Sequence, residues 1–343
     1  MQPSDVHPRV ERWIEASSEE SATSERRTGR QVLHFAVSVT FYLGLMGAAL
    51  WAADLMLRAG VWDGFVIAGP FALAVAAIHV AERFAPYRRE WNEEHGDSVT
   101  DWYHVLFSGV VASEIYRVGF GVLLLPVAAW IVEWRGSTIW PSDAPVAVRL
   151  ALAALLAEFG YYWAHRLGHR VRLFWRAHAT HHSPERLYGL NFLRDHPFGL
   201  LLLYVGLFVP LTVLGCDRHT ITLLLLFSVV HGLFQHCNIA LRLGPLNWIF
   251  SSPPLHRWHH SEVTAEAQHN YGANLIVWDI LFRTRFLPER ESVRVVGIDG
   301  IDDFPKDYLG QMKVPFVLSG LEGAPEAQRP AFADVDEAVA EGG

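Results

Sequence analysis

Residues 145–169, PVAVRLALAALLAEFGYYWAHRLGH, contain the feature that decides the fold. About 20 apolar residues allow one helix to cross the hydrocarbon core of a membrane, and the segment 145–164 has this length and character. It leads without a break into His165 and His169, which lie four residues apart and therefore on one face of a helix. The stretch predicts a membrane-spanning helix that ends in two potential metal ligands.

Two further histidine clusters follow this pair. They are His178-Ala-Thr-His181-His182 and His256-Arg-Trp-His259-His260, both with the spacing i, i+3, i+4. On a helix this spacing brings the imidazoles of each cluster to one side. Imidazole is a common metal ligand, and eight of them exceed what one ion takes, so the three clusters predict two metal ions. His236 and His269, which lie in polar or glycine-containing segments, are candidates for additional ligands.

The composition is that of a membrane protein. The 343 residues are 51% hydrophobic and 19% charged, with a mean hydropathy of +0.17, whereas ordinary soluble domains have about 25% charged residues. The net charge of −8 comes largely from the chain ends. No Lys/Arg cluster with interleaved aromatic residues is present, so we expect no nucleic-acid partner. The two cysteines form no C-x-x-C motif and indicate no disulfide framework.

Other apolar stretches surround the first one, at 33–57, 61–81, 103–133 and 197–236. Glu114, Arg117 and Pro126 interrupt the third stretch along the chain, which predicts a kink or a division into two pieces. Gly-Cys-Asp-Arg at 215–218 divides the last stretch into halves shorter than about 20 residues, so these halves are two tight spans or a re-entrant hairpin. We therefore predict an all-α integral membrane helix bundle with four to six spans.

The arginines indicate the orientation of the chain and the place of the clusters. One arginine-rich loop contains Arg83, Arg88 and Arg89, and the other contains Arg166, Arg170, Arg172 and Arg176. The opposite loops contain little more than Arg58 and Arg135. Because loops on the cytoplasmic side are enriched in Lys and Arg, we expect the N-terminus and a histidine-rich helical cap on the cytoplasmic side of a multi-pass protein.

Four regions are predicted along the chain. A flexible cytoplasmic leader is expected at 1–30, where charged residues dominate, and the membrane domain with all clusters at 31–287. A C-terminal extension at 288–319 is expected to pack on the cap. The segment 320–343, which is rich in Ala, Glu, Pro and Asp, is expected to be a disordered acidic tail.

The expected reaction restricts the identity of the metal more than the type of ligand does. No H-E-x-x-H motif indicates a zinc protease, a structural zinc site needs only four ligands, and a haem would explain a pair of histidines but not the triplets. Imidazole suits iron, zinc, copper and nickel alike. Metals at the mouth of an apolar bundle face inert C–H bonds, whose oxidation requires O2 and a redox metal. The location therefore favours two non-haem iron ions.

Two carboxylates are candidates for supporting roles. Glu158 precedes His165 by two helical turns on the same face, and a carboxylate within a span is a candidate for function. It could bind a metal directly, hydrogen-bond a ligand imidazole, or pair with an arginine such as Arg194. Asp279 could orient a histidine or cap a helix.

These residues carry a resemblance to a known family. The segments Glu158-Phe-Gly-Tyr-Tyr-Trp-Ala-His165-Arg-Leu-Gly-His169 and Phe174-Trp-Arg-Ala-His178-Ala-Thr-His181-His182-Ser183 resemble the first two boxes of the fatty acid hydroxylase/sterol desaturase superfamily. Pro253-Pro-Leu-His256-Arg-Trp-His259-His260, with the later His269-Asn-Tyr-Gly and Trp278-Asp279, is similar to its third box and trailing signature. The start and the tail are closer to the bacterial sterol-desaturase-like and ether-lipid monooxygenase branch than to acyl-CoA desaturases.

The resemblance covers roughly residues 97–287 and implies a function. It implies a membrane enzyme in which the box histidines hold two irons and outlying histidines complete the coordination, so that O2 hydroxylates or desaturates a lipid. We expect no fused b-type cytochrome, and the resemblance then implies that a ferredoxin, or a b-type cytochrome with its reductase, supplies the electrons. The ligands then expected are His165, His169, His178, His181, His182, His256, His259, His260, His236 and His269.

Two other classes of protein stay open at this point. One is a non-enzymatic membrane protein that binds zinc or nickel, such as a transporter or sensor. A transporter is expected to place its ligands near the membrane midplane, whereas these clusters directly follow spans. The other is a metal-dependent membrane hydrolase, for which Glu158 could serve as the general base.

Overall fold

The structure is a computed structural model, and it describes residues 8–288, 293, 295–298, 301 and 304–317. Its helices are α1 (Pro8–Arg58), α2 (Asp63–Phe84), α3 (Ser98–Tyr103), α4 (Ser113–Arg135), α5 (Val146–Arg170), α6 (Arg172–His182), α7 (Pro197–Val213), α8 (Arg218–His236), α9 (Pro253–His259), α10 (Thr264–Ala267), α11 (Val277–Leu281) and α12 (Tyr308–Val317). Short 3₁₀ turns cover Arg89–Asn92, Gly189–Leu193 and Gly244–Trp248. The described part contains isolated bridges but no β-strand, which confirms the all-α prediction.

Five helical segments are long and apolar enough to cross a membrane. They are Gly29–Arg58, Asp63–Phe84, Ser98–Arg135, Val146–Arg170 and Arg218–His236. The number lies within the predicted range of four to six. The helix α7 is also apolar but has only 17 residues, so the divided stretch at 197–236 forms a shorter and a longer helix.

The third apolar stretch is one continuous helical run rather than two pieces. A π-helical segment, His104–Ala112, joins α3 to α4, and Pro126 lies within α4 without ending it. The charged residues predicted to disturb this stretch neutralise each other, because Arg117 donates to the Glu114 carboxylate at 2.7 Å. Pairing at this i, i+3 spacing reduces the cost of placing two charges on a largely apolar helix.

The helix α5 carries the first histidine pair and contacts α7 at a backbone-to-backbone crossing. A Cβ atom on Gly160 would lie 2.0 Å from the Gly206 carbonyl oxygen, and a Cβ on Gly206 would lie 2.4 Å from the Gly160 carbonyl oxygen. Small residues allow membrane helices to approach this closely. The crossing therefore fixes α5, and with it His165, against the helix that follows the second cluster.

Replacing Gly206 by alanine is expected to force α5 and α7 apart. Overpacking of this kind costs about 1–3 kcal/mol, so the midpoint of thermal unfolding in detergent should fall by several degrees. Gly119→Ala is the matched control, because its new Cβ has open space around it on α4. Equal unfolding midpoints for the two variants would contradict a tight crossing.

The short helices form a cap at the ends of the long ones. A buried ion network holds the cap together: Arg186 pairs with Asp97 at 2.6 Å, and Arg194 pairs with Asp101 at 2.5 Å. Paired charges of this kind tolerate burial because each charge is met by an opposite one. Further along the chain, α12 packs through Val314 against Ala179 of α6, so this part of the extension lies on the cap.

The predicted terminal regions are only partly covered by the structure. The backbone is helical from Pro8 onward and continuous with the first span, where the sequence favours a flexible leader over 1–30. The predicted acidic tail at 320–343 lies outside the described residues. The flexibility of the leader and the disorder of the tail stay predictions.

Candidate metal centre

Nine buried histidines form two groups whose ring nitrogens converge. The five-histidine group consists of His165, His169, His178, His182 and His259, and the four-histidine group consists of His181, His236, His256 and His260. Within each group one ligand atom per residue lies within 4.8 Å of all the others. Four separate segments supply these side chains, namely the C-terminal ends of α5, α6 and α8 and the helix α9 with the residue after it.

The shortest distances within the groups join Nε2 atoms. In the five-histidine group, His165 Nε2 lies 2.9 Å from His178 Nε2 and 3.0 Å from His259 Nε2. In the four-histidine group, His256 Nε2 lies 2.9 Å from His236 Nε2 and 3.1 Å from His260 Nε2. Such clustering of like nitrogens is the arrangement expected around a central ion.

The two groups adjoin each other. The His182 and His260 rings, one from each group, are stacked with their centroids 4.5 Å apart. His178 and His181, also from different groups, have centroids 5.3 Å apart. The two groups therefore form one continuous candidate site rather than two separate ones.

Several ring nitrogens have no hydrogen-bond partner and therefore remain available to coordinate a metal. Both nitrogens of His169, Nε2 of His182, and Nδ1 of His256 and of His260 are buried without a partner. Leaving a buried polar atom unpaired costs about 1–3 kcal/mol, and a coordinated ion removes part of this cost. The donor set fits a metal that accepts imidazole, such as iron, zinc, copper or nickel.

Burial also keeps the imidazoles in the form that binds metals. It holds the pKa of His178, His182, His256, His259 and His260 well below the usual value, and it lowers the pKa of His181 to about 3. The charged imidazolium is poorly solvated in this interior. The rings are therefore neutral near pH 7, and a lone pair is available for coordination.

Hydrogen bonds at the outer ring nitrogens orient the ligands. His165 Nδ1 donates to the Tyr271 carbonyl at 2.7 Å, and His259 Nδ1 donates to the His269 carbonyl at 2.8 Å. His181 Nδ1 lies 3.2 Å from the carbonyl oxygen of Arg194. A donor role for Nδ1 leaves the lone pair on Nε2, the atom that faces the group.

Glu158 and Asp279 hold the backbone that orients His165. Glu158 accepts hydrogen bonds from the amides of Ala273 and Asn274, the latter at 2.9 Å. Asp279 accepts from the amides of Tyr271 and Gly272, both at 2.8 Å, and from the Thr284 hydroxyl at 2.7 Å.

Neither carboxylate belongs to a histidine group. The arginine considered as a partner for Glu158, Arg194, pairs with Asp101 instead. Both carboxylates therefore act through the loop 271–274 rather than on a metal position.

His269 and His196 lie outside both groups. The ring of His269 contacts Phe286, and its Nδ1 lies 3.2 Å from the Glu266 carbonyl oxygen, so only the backbone of His269 serves a candidate ligand. His196 caps the start of α7, where its Nδ1 accepts from the Phe198 amide at 3.1 Å. His236 and His269 were the two candidates outside the three clusters. The structure places His236 in the four-histidine group and His269 outside both groups.

Asp195 is a residue at the site that the sequence analysis did not single out. Its Oδ2 lies 3.6 Å from His181 Nδ1, and its Oδ1 is buried without a hydrogen-bond partner. Burial raises the pKa of Asp195 to about 8, and a cation nearby would lower the pKa again. The sequence feature that could have indicated Asp195 is the Arg-Asp-His-Pro segment, which places an acid shortly before the apolar helix α7.

An apolar cavity of about 150 Å³ reaches the centre from the helix bundle. Its end at the centre is formed by His165 of the five-histidine group and by His181, His236 and His256 of the four-histidine group. The largest group of other lining residues is aliphatic and consists of Leu193, Leu200, Leu203, Leu207, Leu225 and Val229. The cavity can hold an apolar group beside both histidine groups.

The chain is similar in sequence to known proteins. A model of the fatty acid hydroxylase family matches residues 150–284. The chain is 36% identical over 293 residues to the ornithine lipid hydroxylase OlsE of Rhizobium tropici, covering 84% of this chain and 86% of the relative. It is 31% identical over 175 residues to the alkylglycerol monooxygenase of Xenopus tropicalis, covering 49% and 37%.

A third relative and the solved structures complete the comparison. The chain is 24% identical over 152 residues to methylsterol monooxygenase 2-2 of Arabidopsis thaliana, covering 44% of this chain and 57% of the relative. No solved structure matches the chain. The resemblance found in the histidine boxes is confirmed, and the chain belongs to the fatty acid hydroxylase superfamily of O2-dependent membrane lipid oxygenases.

Proposed function

We propose that the protein is a non-haem di-iron enzyme that hydroxylates or desaturates a lipid. One observation supports the proposal most directly: nine buried imidazoles form two adjoining groups, and four of them line an apolar cavity. Two groups, each with enough ligands for one ion, support two metal positions. The apolar wall supports a substrate with a hydrocarbon part, whose C–H bonds are attacked by oxidation and not by hydrolysis.

The proposed ligands divide between the two ions as the groups do. His165, His169, His178, His182 and His259 would hold one iron, and His181, His236, His256 and His260 would hold the other. When bound, the iron pair would supply the activation of O2 that the protein side chains cannot perform. We retain His269 only through its backbone carbonyl, which fixes the ring of His259.

The side chains of the protein are proposed to position the lipid and to keep the centre dry. Leu203, Leu207 and Val229 line the cavity and would guide the apolar chain toward the histidines. His165 and His256, from different groups, both border the cavity, so a carbon atom placed there would face both ions. Position along the cavity then decides which carbon reacts.

The orientation and the electron source belong to the same proposal. The distribution of arginines supports a cap on the cytoplasmic side, and Arg170 and Arg172, at the junction of α5 and α6, are exposed there. A separate electron donor, a ferredoxin or a b-type cytochrome with its reductase, would reach the five-histidine group from this side.

The two rival classes fit less well. The relatives are lipid hydroxylases and monooxygenases, which argues against a zinc or nickel transporter or sensor. In addition, His165 and His169 lie in the last turns of α5 and His236 is the last residue of α8, whereas transporter sites lie near the midplane. A hydrolase would need Glu158 as a base, but this carboxylate is engaged by backbone amides.

The proposed function is tested by metal and lipid analysis of the same cells. Purified protein is expected to contain two iron ions per chain, because there are two imidazole groups. Lipids of expressing cells should contain one species that has gained an oxygen atom or lost two hydrogen atoms relative to cells without the protein. Active protein with stoichiometric zinc, or an unchanged lipid profile together with full iron, would contradict the proposal.

A further inference from the structure

Glu82 is a buried carboxylate that the proposed oxidation does not use directly. It lies in the last turn of α2, within a candidate membrane span, and is 4% exposed. A carboxylate buried in a membrane helix is costly and marks a candidate functional position. Its Oε1 accepts hydrogen bonds from the backbone amides of Gly189, at 2.7 Å, and of Asn238, at 3.0 Å. One oxygen atom therefore ties together two segments that are distant in the chain.

The two segments that Glu82 joins meet at a proposed metal ligand. Asn238 follows His236 by two residues, and Gly189 begins the short turn that carries Asn191. Asn191 Oδ1 lies 2.9 Å from His236 Nδ1. Glu82 therefore holds the backbone on both sides of the contact between Asn191 and His236.

The side-chain amide of Asn191 determines which nitrogen of His236 is protonated. Its Nδ2 donates to the Arg186 carbonyl at 2.8 Å, so the amide oxygen is the atom that faces His236. An amide oxygen only accepts hydrogen bonds, so His236 Nδ1 carries the proton and Nε2 carries the lone pair. This Nε2 lies 2.9 Å from His256 Nε2, within the four-histidine group. The lone pair is therefore available at the position where that group would hold a metal ion.

We propose that Glu82 and Asn191 are positioning residues of the four-histidine group and act together through His236. The inference rests on the proposed function, since it concerns one of its two metal positions. Asn191 selects the tautomer and fixes the plane of the His236 ring, while Glu82 holds the two segments at the separation that this hydrogen bond requires. In the described part of the chain neither side chain hydrogen-bonds to the five-histidine group, so their loss is expected to affect one metal position only.

Cobalt binding tests the proposal on the full chain in detergent, after a chelator has removed bound metal. Co²⁺ accepts imidazole ligands, and its visible absorption reports their number and arrangement. The wild type is expected to bind two Co²⁺ per chain, one in each histidine group. In Asn191→Leu and in Glu82→Met, which remove the acceptor oxygens, one Co²⁺ should bind about 10–100-fold more weakly while the other keeps its affinity.

Conservative variants separate positioning from a general loss of structure. Asn191→Asp and Glu82→Gln retain an acceptor oxygen, so the weakened Co²⁺ should return to within a few-fold of its affinity for the wild type. In addition, Asn191→Leu should have no further effect on Co²⁺ affinity once His236 is replaced by alanine, because its effect passes through that ring.

The outcomes separate this role from the proposed function. Unchanged Co²⁺ affinity in Asn191→Leu and Glu82→Met, equal weakening of both ions, or conservative variants that fail to restore binding would overturn the proposal. A wild type that binds a single Co²⁺ would overturn it together with the pair of metal positions. The expected Co²⁺ pattern, combined with an iron-loaded enzyme that oxidises no lipid, would support the positioning role and contradict only the proposed function.

Discussion

Replacing His259 by alanine is expected to abolish activity, whereas replacing His269 is expected to leave it largely intact. His259 belongs to the five-histidine group, and its Nε2 lies 3.0 Å from that of His165. Loss of a direct ligand should weaken metal binding by more than the roughly 10–100-fold typical of groups that only support a ligand. The iron content should then fall toward one ion per chain.

His269→Ala is the informative control for this experiment. Both residues belong to histidine motifs of the sequence, but His269 contributes its backbone carbonyl rather than its ring, and alanine preserves that carbonyl. Metal content and lipid turnover measured side by side decide between the two residues. Loss of iron in His269→Ala, with iron retained in His259→Ala, would show that the groups are wrongly divided.

Replacing Glu158 by glutamine is expected to weaken the metal centre from a distance. Glu158 holds the amides of Ala273 and Asn274, and the same loop presents the Tyr271 carbonyl to His165. Hydrogen bonds to a charged group contribute about 1.5–3 kcal/mol each, and the amide NH2 of glutamine cannot accept from a backbone amide. Affinity for iron should fall by about 10–100-fold, the effect typical of groups that support a ligand.

Glu114→Gln is the matched control for Glu158→Gln. Glu114 is also a carboxylate on a membrane-spanning segment, but it is half-exposed and pairs with Arg117 rather than with the loop 271–274. Chelator competition for iron, measured on both variants, provides the readout. Equal iron affinity of Glu158→Gln and the wild type would mean that the loop holds His165 without this carboxylate.

The histidine spacing predicted which side chains would cluster better than it predicted how the two groups share them. Adjacent residues of a helix point about 100° apart, and the structure assigns His181 and His182 to different groups, as it does His259 and His260. Each of the later two clusters thus contributes to both histidine groups. Spacing alone indicates that the residues of one cluster lie on one side of a helix, but it does not indicate which neighbour each ring meets.

Long-range packing also decided the roles of the remaining polar residues. Glu158 was placed by the sequence on the helix face of His165, yet its partners lie more than a hundred positions later in the chain, at 273–274. The Arg-Asp-His-Pro segment places Asp195 before an apolar helix but does not indicate its neighbours, and its place at the cavity depends on how α5, α6 and α7 meet. Such contacts between distant segments leave no local pattern.

By itself the sequence determined an all-helical membrane chain with clustered histidines, because hydropathy and helical periodicity are local properties that each segment carries alone. Only the tertiary structure decided that His236 joins the centre while His269 stays outside, and that one cavity meets both groups. The physical reason is that coordination requires ring nitrogens from four segments within a few ångströms, and this proximity is set by helix crossings such as that at Gly160 and Gly206.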